Sequence, residues 1–394
     1  MISSPSRASR LALPTVLALA ACREIVLPPV SNVPVPVVGG LRFLSVSLGA
    51  LHTCGVSATG TTYCWGWNRD GELGDGSQTD RSSPVAVSSP VTFSAVGAGG
   101  GHTCALDAGG VAYCWGFNLS GQVGDSSDKT RVVPETVAGG SSFATLVAGG
   151  AYSCGVRSDS SVACWGYGGF GQLGNGSRDD RRVPTAALSV LKFAAVSAGI
   201  VHTCALTVDS TAYCWGRNSF GQLGDTTFAD TTAPVAVRGD LKFTSLTLGF
   251  SHTCGLTADG SAYCWGDNQL GQLGDTVMAQ STVPVLVDGG FVYRALSASG
   301  AHTCGITTGN ATRCWGSDAE GELGSPPTHN CAGPSAAGPC SPVPQAVAGS
   351  YTFTAISAGN HHTCAIATDQ RVYCWGLNGN GQLGSGSTTV ALRP

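Results

Sequence analysis

A CysTrpGly triplet recurs seven times along the 394-residue chain. Its tryptophans are separated by five intervals of 50 residues and then by one of 60. They are Trp65, Trp115, Trp165, Trp215, Trp265, Trp315 and Trp375. A constant period of this length is typical of one supersecondary unit copied many times, in which each unit buries its apolar face against its neighbours. The chain is therefore predicted to be a repeat protein.

Each copy contains four short runs that are typical of β-strands. In the second copy one follows Pro84, one begins at Phe93, and two are HisThrCysAlaLeu at 102–106 and ValAlaTyrCysTrp at 111–115. Such runs separated by glycine-containing turns indicate hairpins, and no copy has helical periodicity. Four short strands are the content of one propeller blade. We therefore predict an all-β fold, a seven-bladed β-propeller of about 50-residue repeats over residues 34–394.

The phase of the repeat predicts how the ring closes. In six copies a proline precedes the aromatic residue of the next run by nine residues, as Pro84 precedes Phe93, and the same spacing before Phe43 gives Pro34. From residue 34 to residue 394 is 360 residues, which is seven periods of 50 plus a ten-residue insertion. The two ends of the repeat region should therefore meet. We expect residues 35–47 to complete a blade built mainly by residues 350–384.

The order of a glycine, HisThr, a turn with AspGly, TyrXTrpGly, Asn and GlyGlnLeuGly resembles the regulator of chromosome condensation repeat. The resemblance covers residues 34–394, whereas kelch and WD repeats are less similar. Members of this family are seven-bladed propellers, so the resemblance implies the same fold. The departures are Tyr152 and Ser153 for HisThr, Gly168 and Asp318 for Asn, and Glu72 and Glu322 for Gln.

The resemblance implies two different kinds of activity. Nuclear members in eukaryotes bind chromatin and act as exchange factor for the GTPase Ran, whereas a secreted bacterial member inhibits β-lactamases through an aromatic-rich face. This chain has a net charge of −4 and no basic run, so it lacks the electrostatic footprint of a nucleic-acid-binding protein. We therefore expect no nucleic-acid partner and no exchange activity.

The N-terminal residues have the pattern of a secretory signal. Arg7 and Arg10 precede the apolar run 11–21, which is too short to span a membrane. LeuAlaAlaCys at 19–22 resembles the bacterial lipobox, which implies lipidation of Cys22 and anchoring to a membrane surface. The alternative is an ordinary signal peptide with an incidental cysteine. We expect a signal peptide at 1–21, a tether at 22–33 and an extracytoplasmic protein, either membrane-anchored or secreted.

The 16 cysteines that remain when Cys22 is set aside from the 17 form pairs along the sequence. Seven pairs are ten residues apart across the hairpin turn of each copy, which places their members opposite one another on neighbouring strands. The pairs are Cys54 and Cys64, Cys104 and Cys114, Cys154 and Cys164, Cys204 and Cys214, Cys254 and Cys264, Cys304 and Cys314, Cys364 and Cys374, and, in the insertion, Cys331 and Cys340. We predict eight disulfides, as is usual in oxidising compartments.

Metal binding is the alternative interpretation of the HisThrCys segments. The third copy keeps both cysteines but has Tyr152 in place of the histidine, which favours a packing role for the motif. We therefore expect no metal and no cofactor. The six repeated histidines should be hydrogen-bonded structural groups, and the seven tryptophans should lie in the core.

The positions that differ between copies mark surfaces that are free to specialise. Three consecutive copies have an aromatic residue directly after TrpGly, and apolar residues follow the Asn position in four copies. These residues are Trp67, Phe117, Leu119, Tyr167, Phe170, Phe220 and Leu270. Repeat symmetry places them at one level of the ring as an apolar crescent, which either anchors a protein partner or covers blade edges. The charged segment 178–182 and the inserted loop 325–340 are two further variable places.

No motif of a known catalytic class occurs in the sequence. We therefore expect a non-catalytic module that binds a protein partner through the loops of one face. The alternatives are an extracytoplasmic enzyme with a site at the channel mouth and a purely structural envelope protein.

Overall fold

The computed structural model describes residues 30–277, 280–332 and 337–389. These residues form 29 β-strands in seven antiparallel sheets. None of them belongs to a helix long and apolar enough to cross a membrane.

The strands follow one another in the order of the blades. Those in the first half of the chain are β1 (Val30–Pro36), β2 (Phe43–Leu48), β3 (His52–Ser57), β4 (Thr62–Gly66), β5 (Arg81–Ala86), β6 (Phe93–Ala98), β7 (His102–Asp107), β8 (Ala112–Gly116), β9 (Arg131–Thr136), β10 (Phe143–Ala148), β11 (Tyr152–Arg157), β12 (Val162–Gly166), β13 (Arg181–Ala186), β14 (Phe193–Ala198) and β15 (His202–Thr207). Those in the second half are β16 (Ala212–Gly216), β17 (Thr231–Ala236), β18 (Phe243–Leu248), β19 (His252–Thr257), β20 (Ala262–Gly266), β21 (Ser281–Leu286), β22 (Tyr293–Ser299), β23 (His302–Thr307), β24 (Thr312–Ser317), β25 (His329–Ala332), β26 (Ala337–Ala346), β27 (Phe353–Ala358), β28 (His362–Ala367) and β29 (Val372–Leu377).

Each blade is a four-stranded meander that runs outward from the ring axis. Blade one has the order β2-β3-β4-β5, and blade six adds β25 beyond its outer strand. Because neighbouring strands are antiparallel, the turn after each inner strand and the long loop after each third strand lie at the same face of the ring. We call this the upper face; in blade one it carries residues 49–51 and 67–80.

The prediction of an all-β, seven-bladed propeller is confirmed, and the first strand closes the ring by completing the last blade. β1 pairs antiparallel with β29 and is the outer strand of blade seven. The strand begins at Val30, so residues 30–33 belong to the blade and not to the tether. The expectation that residues 35–47 complete this blade is correct only for residues 35 and 36. Phe43–Leu48 is the inner strand of blade one.

The core consists of seven similar clusters between neighbouring blades. All seven CysTrpGly tryptophans are fully buried. Trp115 of blade two packs with Phe93 and with the two cysteines of blade one, Cys54 and Cys64. The glycine of the triplet is needed because Gly66 has φ +106° and a Cβ there would lie 2.6 Å from the Leu51 carbonyl oxygen.

The eight predicted disulfides are present in the structure. In the seven blades the paired cysteines face each other across the second and third strands, with Cα atoms 4.0–4.1 Å apart. The eighth joins Cys331 of β25 to Cys340 of β26. With all 16 described cysteines paired, no thiolate among them is available to a metal. Eight intrachain disulfides indicate an oxidising, extracytoplasmic environment.

A closed series of hydrogen bonds joins each blade to the next. The Nε2 atom of His52 lies 2.9 Å from the Thr103 hydroxyl of the following blade, and His362 of blade seven returns to Thr53 at 2.8 Å. The other blades repeat the contact. In blade three the Tyr152 hydroxyl takes the imidazole's place, donating to the His202 carbonyl and accepting from Thr203.

The threonine hydroxyls determine the protonation of these imidazoles. Thr103 donates to the Glu72 carbonyl at 2.8 Å, so its oxygen is left to accept from the Nε2–H of His52. The Nδ1 atoms of His102, His202 and His252 are buried and have no hydrogen-bond partner in the described structure. Burial therefore lowers the pKa of the six histidines to about 3 or 4, and each imidazole stays neutral.

Candidate functional site

The seven inner strands surround a central channel of small side chains. The cavity there has a volume of about 260 Å³ and is lined mainly by glycine, alanine and serine, such as Gly99, Ala148 and Ser197. Small side chains are required because neighbouring inner strands approach closely: the Ala50 amide donates to the Gly99 carbonyl of the next blade at 3.2 Å. The lining therefore carries few reactive groups, and the sequence differences between blades are concentrated at the mouth of the channel.

Two sets of loop residues form one surface at the upper mouth, namely the residues directly after TrpGly and the turns directly before the HisThr position. The residue after TrpGly donates its backbone N–H to the turn after the inner strand, as Trp67 does to Leu51 at 2.9 Å and Tyr167 to Ala151 at 2.9 Å. The same bond joins Asp267 to Ser251 at 2.8 Å. The aromatic positions and the glycine-rich turns therefore lie side by side around the channel.

The loop motif GlyGlnLeuGly holds the backbone of the crescent. The Gln172 side-chain oxygen accepts from the Phe170 amide at 2.9 Å, and Gln222 does the same for Phe220 and Gln272 for Leu270, each at 2.9 Å. The Asn218 side chain accepts from the Leu223 amide in the same loop at 2.9 Å. Repeated polar residues thus fix loops whose apolar residues differ between blades.

The seven crescent residues lie on the upper face of blades one to five. Leu119 is 68% exposed, and the other six are partly buried. The rings of Tyr167 and Phe170 meet edge-on at 5.9 Å, and the Arg217 guanidinium lies 5.0 Å from the Phe170 ring centre. Arg69 lies over Trp67 in the same manner at 5.1 Å. The crescent therefore combines aromatic rings with arginines, and both of its interpretations remain predictions.

Blades five to seven carry a different surface at the same face. A cavity of about 430 Å³ there is lined by residues that include Asp267, Glu320, Glu322, Phe250 and His361. Burial raises the pKa of Glu322 to about 8, and it also raises the pKa of Asp267. Sequence reasoning did not find this cavity, although Glu322 in place of Gln and Asp267 after TrpGly were visible signals.

Segment 178–182 and the insertion 325–340 are the other two variable places, and the structure shows what each contributes to the fold. In segment 178–182, Arg178 lies 3.5 Å from Asp230 and Arg182 lies 2.8 Å from Asp128, and all four side chains are partly or well exposed. These are solvated ion pairs that link neighbouring blades. The insertion forms the hairpin of β25 and β26 beyond the long loop of blade six, so it belongs to the upper face.

The fold defines a seven-bladed propeller with a disulfide in every blade. The RCC1-like domain model matches residues 18–339, and models of the regulator of chromosome condensation (RCC1) repeat match residues 314–366 and 353–382. The chain therefore belongs to the regulator of chromosome condensation repeat family. A comparison with curated proteins finds no match.

Solved structures with the same fold come from several settings. Human WBSCR16 is 18% identical over 88% of this chain and 89% of its own, with a TM-score of 0.74. Prp20p from Saccharomyces cerevisiae, described with its binding to Gsp1p and histones, is 23% identical over 88% and 85%, with a TM-score of 0.72. The ectodomain of the Physcomitrella patens receptor kinase CR4 is 20% identical over 86% and 74%, with a TM-score of 0.57.

Proposed function

We propose that this protein is an extracytoplasmic, non-catalytic module that binds a protein partner through the crescent on its upper face. The observation that carries the proposal is the group of partly exposed aromatic side chains on loops held by buried glutamines. Aromatic residues and arginine are the side chains most enriched among residues that dominate binding energy. Trp67 with Arg69, and Tyr167 with Phe170 and Arg217, supply both kinds.

The fold supports a binding role over a catalytic one. Prp20p, which shares the propeller, binds Gsp1p and histones. The described channel lining consists mostly of small side chains and contains no Asp, Glu, His or Lys. The net charge of −4 argues against a nucleic-acid partner.

The proposed location rests on the disulfides and the N-terminal signal. Cys22, which lies outside the described residues, would carry the lipid anchor. Val30 pairs with Leu377, at the upper end of β29, so the chain enters the ring at the upper face. Residues 23–29 can reach at most about 25 Å. A lipid-anchored protein would therefore hold its crescent close to the membrane surface.

Two exposed apolar residues on opposite faces provide a matched test. Leu119 in the crescent is 68% exposed, and Val208, in the turn between β15 and β16 at the lower face, is 70% exposed. A partner is first captured from the producing cell's envelope and medium with the wild-type protein, and its Kd is then measured with purified variants. Leu119→Ala should weaken binding by about 1 kcal/mol and Trp67→Ala or Tyr167→Ala by about 2 kcal/mol or more, whereas Val208→Ala should change nothing.

The same experiment separates the alternatives. Equal losses for Leu119→Ala and Val208→Ala would exclude the crescent as the contact surface. A protein with no saturable partner in either fraction would be a structural envelope component. Turnover of a substrate by the wild type that survives loss of the crescent would indicate an enzyme.

A further inference from the structure

The cavity on blades five to seven has the features of a small cation site. Asp267 and Gln272 come from blade five, Glu320 and Glu322 from blade six, and His361 from blade seven. The cavity volume of about 430 Å³ is sufficient for an alkylammonium or guanidinium group with several carbons. None of the described lining residues is lysine or arginine, so nothing there neutralises the carboxyl groups.

Glu322 is the group that points to a ligand. Its side chain is buried, with an exposed fraction of 3%. One carboxyl oxygen, Oε2, accepts from the Glu320 amide at 2.8 Å. The other carboxyl oxygen accepts no hydrogen bond from another described residue. Because the side chain lines the cavity, this oxygen can accept from a cationic donor bound there.

The equivalent residue in other blades shows what is special about Glu322. Gln172 and Gln222 accept the corresponding amide through Oε1, and their Nε2 groups have no partner in the described structure. A glutamine at 322 would therefore direct an NH₂ group, and not an oxygen, away from the loop. Glu72 is the second glutamate at this repeat position, and it does not line the cavity.

We propose that this cavity binds an organic cation, a primary ammonium or guanidinium group on an alkyl chain. The charged end lies between Asp267 and Glu322, with Glu320 at the entrance. The alkyl part rests against Phe250, which is 45% exposed at the rim and offers a ring face to a cation. The site adjoins the crescent, because Leu270 lies between Asp267 and Gln272 in the same loop, but it uses none of the crescent side chains and so does not depend on the function proposed above.

Protonation supports this choice of ligand. Burial raises the pKa of Glu322 to about 8 and that of the neighbouring Asp318 to about 6, and it raises the pKa of Asp267. Glu320 and His361 are the other titratable groups that face the cavity. A bound cation stabilises the ionised form of Glu322, so binding near neutral pH should release a proton.

The test is calorimetric titration of the full-length, disulfide-bonded protein with n-butylammonium, ethylguanidinium and uncharged 1-butanol. We expect saturable binding of one cation per chain, with 1-butanol at least about tenfold weaker. Glu322→Gln and Asp267→Asn should each weaken cation binding about tenfold or more, and proton release should be lost in Glu322→Gln. The matched control Glu72→Gln should bind as the wild type does.

Three outcomes would overturn the proposal: equal affinity for 1-butanol and n-butylammonium, equal effects of Glu322→Gln and Glu72→Gln, or no saturation by either cation. Two further probes identify the source of the cation. Tighter binding of 1,4-diaminobutane indicates a free amine, and tighter binding of N-acetyl-lysine amide indicates a basic side chain of a protein. Leu119→Ala should leave cation binding unchanged. The cation site can therefore be confirmed or rejected whether or not the crescent binds a protein.

Discussion

Acidification should weaken this propeller through its buried histidines. Six imidazoles have their pKa lowered by burial from 6.5 to about 3 or 4. Below pH 6.5 the imidazoles bind protons in the unfolded chain but stay neutral in the native chain. The contribution of the six histidines to the free energy of unfolding is therefore complete above pH 6.5 and is lost as the pH falls. Lowering the pH from 7 to 5 should reduce the free energy of unfolding by about 2 kcal/mol for each imidazole, or by about 11 kcal/mol for all six.

Buried carboxyl groups act in the opposite direction. Burial raises the pKa of Glu72 to about 7, of Asp318 to about 6 and of Glu322 to about 8. On acidification these groups bind protons at a higher pH in the native state than in the unfolded state. Lowering the pH from 7 to 5 should therefore raise the free energy of unfolding by about 6 kcal/mol through these three groups. The wild type should therefore lose about 5 kcal/mol of unfolding free energy between pH 7 and pH 5.

The two contributions can be separated by one variant. Combining Glu72→Gln and Glu322→Gln with Asp318→Asn restores the residues that other copies have and removes the opposing carboxyls. This variant should lose about 11 kcal/mol over the same range, twice the wild-type loss. The measurement is urea denaturation with disulfides intact, followed by tryptophan fluorescence at pH 7, 6 and 5. If stability in the variant is constant or rises on acidification, the assignment of the imidazoles as neutral, buried groups is wrong.

Two more perturbations test the frame of the propeller, each by chemical denaturation. Gly74→Ala should lower the free energy of unfolding by about 3 kcal/mol, because φ is +65° and the new Cβ would lie 2.7 Å from Trp115 Nε1. Gly76→Ala is the matched control. It has a similar φ of +81° but no atom nearer than 3.8 Å to the new Cβ, so it should lower the free energy of unfolding by only about 1 to 2 kcal/mol. Equal costs would mean that the Trp115 contact is unimportant. Replacing Cys104 and Cys114 together by serine should cost about 2 to 3 kcal/mol, and unchanged stability would show that this disulfide does not form in the protein as produced.

The ring could be predicted from the sequence because its period and its cysteine spacing are local signals. The start of β1 is predicted less accurately, because the repeat pattern places Pro34 at the start of a run. In the structure Pro84 is the fourth residue of β5, and Pro34 is the fifth residue of β1. Both are outer strands, where proline is tolerated because no strand beyond needs its N–H.

The candidate sites were less accessible to sequence reasoning. The level of the crescent followed from repeat symmetry, but the fractional exposure of Leu119 and the arginine over Phe170 depend on side-chain packing. The cavity is formed by loops from three blades, and its lining residues extend from Phe250 to His361, more than a hundred positions along the chain. No local pattern shows that they converge.

Blade seven is the one sheet assembled from distant parts of the sequence, since β1 lies beside β29. Any tension applied to the residues before Val30 is therefore carried first by the backbone hydrogen bonds of this single pair. Those bonds are arranged one after another along an antiparallel ladder, so a pull at its end breaks them in succession. The mechanical strength of the whole ring against such a load is set by this seam and not by the seven disulfide-clipped hairpins.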